Sequence, residues 1–248
     1  MSLLQEAEHG ASIGAARAAL AEAYLRTGNY DAVEEILERT LASARRIGNR
    51  RDEADAIAVQ GMTLHFRAID LPPEERAAID PTPEQELFER AYAMRREIDD
   101  SEGIAESLFQ LGLVQQVLRR DLVAGAPYVE EALAVVETVP DADVLLRSEI
   151  HRHVGFDLLL RQERPDDARR RLRTSLDLRA VLDERGWRAS AHIALALCER
   201  IAGRREEALE HSRQALEVSR SERLRGRFVT AASDALREAQ KLPDQSTP

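Results

Sequence analysis

Cysteine occurs once, at Cys198, so no internal disulfide can staple the fold, and an oxidised secreted scaffold is not indicated. Its neighbours are apolar on one side (Leu195, Ala196, Leu197) and acidic on the other (Glu199). A reactive thiolate needs positive surroundings, so this thiol reads as an inert core group. Aromatic residues make up only 4%, and Val-Ile-Thr runs with period-two alternation are few, which argues against sheets. No apolar run approaches the roughly 20 residues of a membrane span, and no charged-then-apolar segment opens the chain. A cytoplasmic location is therefore expected, with no membrane partner. Lysine is nearly missing too: of 35 basic residues only Lys241 is lysine, a bias that carries no functional reading.

Catalytic and ligand motifs are equally sparse. There is no Gly-x-Gly-x-x-Gly, no Gly-x-x-x-x-Gly-Lys-Ser/Thr and no Gly-x-Ser-x-Gly. Six histidines invite a metal hypothesis. On a helix, however, His151 and His153 diverge by about 200° and cannot chelate one ion. His153 and Asp157 share a face but fall short of the three or four ligands zinc takes. His192 and Cys198, six apart on one helix, are offset by about 240°. No catalytic residue, metal or cofactor is expected. The acidic balance of the first 160 residues (16 basic, 30 acidic) argues against nucleic acid, although residues 161–248 are slightly basic (19 against 15). The simplest reading of this charge is a solvated helical surface.

What the chain has is alanine, leucine and repetition. Hydrophobic residues make up 44%, enough for a continuous core, and their small and straight-chain types favour helices that pack closely. A helix-pair pattern recurs five times. It is clearest in AHIALALCERIAGRREEALEHSRQAL (Ala191–Leu216) and again in AALAEAYLRTGNYDAVEEILERTL (Ala18–Leu41). A small residue marks the middle of each first helix: Ala21, Gly61, Gly112, Gly155 and Ala196, spaced by 40, 51, 43 and 41 residues. The second helices carry mates in steps of three and four: Leu37–Thr40–Leu41, Phe88–Ala91, Val129–Ala132–Leu133, Leu172–Ser175–Leu176 and Ser212–Ala215–Leu216. Mid-helix glycine costs about 1 kcal/mol relative to alanine. Its recurrence at three of the five positions points to helices packed against bare backbone. The fold expected is all-α, an array of antiparallel helix hairpins.

Interruptions are also legible. Asp70–Gln85 (DLPPEERAAIDPTPEQ) holds four of nine prolines, which end one helix and begin the next around a turn at Glu74–Ile79. Such an insertion is either a long connection or a flap. Pro140-Asp141-Ala142 separates the third and fourth pairs, and Pro165-Asp166-Asp167 opens a helix with acidic residues at its positive end. Ser221–Lys241 is amphipathic through Leu224, Phe228, Ala231, Ala235 and Leu236, and reads as a terminal cap. Residues 242–248 are expected to be a disordered tail, leaving one domain over 1–241.

LAEAYLRTGNYDAV, FQLGLVQQV and IALALCERIAGRREEALEHSRQAL resemble the tetratricopeptide repeat family. The family pattern has Leu-Gly and a following aromatic on the first helix, a tight turn, then Ala and Ala-Leu on the second. The resemblance covers about residues 11–220. Its spacing exceeds the usual period of about 34 and is similar to the longer variants in kinesin light chains and bacterial peptide-sensing regulators. It implies a right-handed superhelical α-solenoid of about five helix pairs, lined on its concave face by the first helices. Residue by residue, the implied groove comprises Met62, His65, Phe66, Phe109, Leu113, Gln116, Arg152, Phe156, Leu159, Ile193 and Arg200. These side chains imply an apolar docking patch, with Arg152 and Arg200 placed to clamp a carboxylate. The family's chaperone clamp uses lysine and asparagine, which this groove lacks.

The function this implies is a non-enzymatic interaction module, regulatory or scaffolding, that binds a peptide or helix of a partner protein. The alternative is a sensor of a small molecule or short peptide, or an enzyme, with a pocket under the 70–85 loop. Internal packing of the same aromatics, and self-association into a homodimer through the patch or the cap, also stay open.

Overall fold

The computed structural model describes residues 12–243; the tail proposed at 242–248 falls almost wholly outside them. The described residues are all-helical, without strands, and form two compact units that meet at Pro140–Asp141. The first unit contains α1 (Ile13–Glu22), α2 (Tyr30–Ile47), α3 (Arg50–Asp70), α4 (Pro73–Ala77), α5 (Thr82–Glu97), α6 (Ser101–Leu113) and α7 (Leu122–Val136). The second contains α8 (Val144–Leu160), α9 (Pro165–Arg179), α10 (Trp187–Ile201), α11 (Arg205–Ser221) and α12 (Gly226–Gln240). In α1 and α6 the last turn widens into a π turn, Ala23–Thr27 and Val114–Leu118.

The ends of these helices follow from their sequence. Ser12, Asn29, Asn49, Asp100, Asp121 and Asp143 each accept a hydrogen bond from a first-turn amide, satisfying a donor the helix cannot. Pro165 opens α9 as expected. Most helices stop at a left-handed residue, after which the next amide donates back to the final turn. Asn49 N bonds Ala44 O at 2.9 Å and Arg204 N bonds Glu199 O at 2.8 Å. Glycine serves this turn at Gly28, Gly48 and Gly203, but Asp99, Arg120, Glu163 and Arg223 hold the same conformation with side chains, at φ 52–55°.

Within each unit the successive long helices pack in turn, α3 directly on α5, giving the hairpin array of a tetratricopeptide-like solenoid. First helices also touch the following first helix: α1 on α3, α3 on α6, α8 on α10 and α10 on α12. Second helices make no comparable contact, so each unit bends with its first helices inside. The glycine marks are the crossings. A Cβ on Gly61 would lie 2.4 Å from the Phe88 ring, one on Gly112 2.7 Å from Val129 Cγ1, and one on Gly155 2.8 Å from Leu172 Cδ2. These are the mates expected from spacing alone. Ala196 is buried, whereas Ala21, on the first described helix, is half-buried. Phe88, Val129 and Leu172 are fully buried, each contributing about 1.5–3 kcal/mol of apolar transfer.

The insertion keeps its expected helical turn, α4, but Pro72–Glu75 and Ala77–Asp80 face solvent, so it buries no apolar face of its own. The terminal helix α12 begins at Gly226, because Ser221 still closes α11. Its inward face is Phe228, Ala232 and Ala239, with Leu224 buried in the turn before it; Ala231 is exposed.

Two substitutions separate these effects. Gly61→Ala gains about 1 kcal/mol of helix propensity but drives a methyl into Phe88, so a net loss of about 1–3 kcal/mol is expected in urea unfolding. Glu163→Gly relieves a left-handed side chain and is expected to raise stability by about 0.5–1 kcal/mol.

Candidate docking face

The first helices present the residues expected in a groove, and the two units treat them differently. In the first unit His65 is 2% exposed, and its Nδ1 pairs with the buried Glu84 carboxylate at 2.8 Å. Phe109, Leu113 and Gln116 are also buried, which removes them from the expected apolar patch. Gln116 lies in the π turn after α6, and Gly125 lets α7 approach so closely that a Cβ there would lie 2.5 Å from Gln116 Cγ. What stays at the surface is Met62 and Phe66, both half-buried, with Phe66 stacked on Tyr24 at 4.0 Å between centroids.

In the second unit Leu159 is 2% exposed and belongs to the core with Ala168, Leu172, Ala194, Leu195 and Cys198. Phe156 and Leu197 lie half-buried over the same cluster, and Ile193 is half-buried one turn before Leu197. Leu160 and Ile201, four residues beyond Phe156 and Leu197, are 48% and 44% exposed. Steps of four residues stack on one helical face. Thus Arg152–Phe156–Leu160 on α8 and Ile193–Leu197–Ile201 on α10 form two stripes on neighbouring first helices. Leu160 and Ile201 were not expected as site residues. The same four-residue step that links Ile193 to Leu197 would have found them.

The arginines expected as a clamp differ in state. Arg152 already bonds Glu149 through Nε at 3.0 Å and Nη2 at 2.6 Å, and its guanidinium lies 5.4 Å from the Phe156 centroid. Arg200 is half-buried, and its charge bears on Glu238 of α12. Behind Arg152 the fully buried Arg179 donates to Glu149 at 2.5 Å and to the Trp187 carbonyl. Burial alone would raise the Glu149 carboxyl, but Arg152 and Arg179 pull it down to about 2. In the first unit Arg95 and Arg17 likewise hold the buried Glu106 at about 2. Asp55, beside the same Arg95, moves up because burial outweighs its partner.

One contact escaped sequence reading. His192 on α10 and His211 on α11 face each other, Nδ1 to Nδ1, at 3.2 Å; burial lowers both, His192 to about 4. They lie 19 residues apart on different helices, a distance no local spacing reveals. Cys198 is buried, as its neighbours implied, and burial pushes its thiol up to about 11. Among the described residues no three His, Cys, Asp or Glu side chains converge as metal ligands, and no helix is long and apolar enough to cross a membrane.

The depressed carboxylates set an acid limit. Glu106 and Glu149 contribute stability that is complete above about 4.5 and lost as pH falls toward about 2, and the neutral His pair adds a loss between about 6.5 and 4. Raised Asp55 has the opposite sign and partly offsets Glu106. The thermal unfolding temperature is expected to fall steadily from pH 7 to pH 2. His192→Gln should flatten the limb above pH 4, and Glu149→Gln the limb below it.

Comparison with known proteins agrees with this geometry. Residues 146–221, from within α8 to the end of α11, match the family model described as tetratricopeptide repeat. No curated protein matches the chain. Repeats of this family generally mediate protein–protein interaction or scaffolding and are typically non-enzymatic. The segment 146–221, two successive hairpins of the second unit, is thus recognised as tetratricopeptide repeat.

Proposed function

We propose that the protein is a non-enzymatic, cytoplasmic interaction module that captures a peptide or helix of a partner protein, in a regulatory or scaffolding role. The observation that carries this reading is the pair of apolar stripes on α8 and α10. Leu160 and Ile201 are the exposed members, and Phe156, Ile193 and Leu197 are half-buried beside them. A contiguous apolar surface on the inner helices costs solubility unless something covers it. Ridges at four-residue steps suit the side chains of an amphipathic partner helix. Met62, Phe66 and Tyr24 offer a smaller apolar surface in the first unit, and Arg200 lends the second a cationic edge.

Affinity capture with the full chain, followed by titration of the captured partner, tests the face. Phe156→Glu and Ile201→Glu are each expected to weaken binding tenfold or more, about 1.4 kcal/mol, with the helical circular dichroism unchanged. Undiminished binding by both would sink the reading. Phe109→Glu is unsuitable for this purpose, because Phe109 is a core residue and its loss reports on folding.

A further inference from the structure

The small-residue marks align a second contact across the hairpins. From the second hairpin on, Ile57, Leu108, His151 and His192 each stand four residues before the mark on the first helix. Leu87, Tyr128, Arg171 and His211 each stand one residue before the leading mate on the second helix. The crossing brings these two positions together. In the second hairpin Leu87 packs on the cluster that holds Ile57. In the fourth, Arg171 Nη1 approaches His151 Nδ1 at 3.5 Å. The fifth hairpin, α10 and α11, sets two imidazoles there, with Nδ1 of His192 and Nδ1 of His211 3.2 Å apart.

The two rings meet by their nitrogens and not by their faces, since their centroids are 5.4 Å apart, well beyond the nitrogen separation. At that distance the two nitrogens cannot both carry a proton, so at least one presents a lone pair to the other. The second ring needs only to move its proton to Nε2, the other tautomer of a neutral imidazole, for both lone pairs to converge. Zinc–imidazole bonds of about 2.0–2.1 Å at a tetrahedral angle set two nitrogens about 3.3–3.4 Å apart. The gap already present is close to that bite. Both side chains are half-buried, reachable from solvent yet carried on two helices packed along each other. The charge around them is mixed: Glu210 acts on both rings, against Arg188 at His192 and Arg173 at His211. Glu199 and Arg169, also near His211, pair with each other at 2.6 Å. The fourth hairpin shows the contrast, because the guanidinium of Arg171 has no lone pair to give a metal.

We propose that His192 and His211 chelate a late divalent transition ion, the class that imidazole suits and that zinc represents, and that the ion clips α10 to α11. Among the described residues no third His, Cys, Asp or Glu converges on the pair, so water fills the remaining positions of the ion. The site stands apart from the docking reading and needs no partner protein.

The test adds Zn²⁺ to the full chain after treatment with a chelator, with Mg²⁺ as the control ion, and follows the ring-nitrogen NMR signals of the histidines. Zn²⁺ is expected to move the Nδ1 signals of both His192 and His211 to saturation at one ion per chain. It should also raise the unfolding temperature, and EDTA should reverse both effects. Mg²⁺, which prefers oxygen ligands, should do neither. His192→Gln and His211→Gln should each weaken Zn²⁺ binding at least tenfold, while His151→Gln leaves it unchanged. Shifts that grow without saturating, that involve only one of the two rings, or that survive both single substitutions would overturn the site and leave the pair as a hydrogen bond across the hairpin. The wild-type ring signals decide by themselves, so the outcome does not depend on either variant folding.

Discussion

The array depends on one contact repeated at each crossing: an apolar side chain of the second helix set against nearly bare backbone of the first. Phe88 on Gly61, Val129 on Gly112 and Leu172 on Gly155 leave no room for a methyl group. This proximity is what brings successive first helices near enough to touch, and their contact bends each unit toward them. The inner surface, and with it the stripes on α8 and α10, is thus a consequence of three missing side chains. Glycine's cost to the helix, about 1 kcal/mol, is offset by burying a whole aromatic or branched residue.

Apolar contacts of this kind are alike from repeat to repeat and specify register poorly. The buried arginines do the specifying. Arg95 bridges α3 and α6 from α5, and Arg179 bridges α8 and α10 from α9. A slip of one helical turn would strand a guanidinium in the core without its carboxylate, a penalty of about 3–5 kcal/mol. Such networks add little net stability over an apolar replacement. Their value is that one arrangement satisfies them and its neighbours do not. The depressed carboxyls of Glu106 and Glu149 express the same pairing as sensitivity to acid.

The crossings could be read from the amino-acid sequence because they are periodic: Phe88, Val129 and Leu172 fall where the spacing puts them. The exposure of the groove residues could not. Phe109 and Leu113 occupy the same register as Arg152 and Phe156, yet the former pair is buried and the latter half-buried. Gln116 lies in the π turn at Val114–Leu118, and a π turn adds a residue to a helical turn without leaving a mark in composition. Leu159 departs in the same direction, since a position implied by family resemblance is core while its neighbour Leu160 reaches solvent. The His192–His211 contact lies beyond local pattern because its partners meet only after the hairpin closes.

Comparison of repeats within the chain recovers part of what one repeat conceals. Asp55, Glu106, Glu149 and Ser190 look unrelated along the sequence; aligned on the small-residue marks they become one position with four answers. At three of them a carboxylate neutralises a buried cation, and at the fourth a hydroxyl satisfies a hydrogen bond without supplying charge. Hydrogen bonding and charge are separate requirements of a buried guanidinium: five donors need acceptors, and one cation needs an anion. Ser190 meets the first and not the second. Repetition thus supplies its own comparison, because the first unit fills with a carboxylate the position where the second sets a hydroxyl.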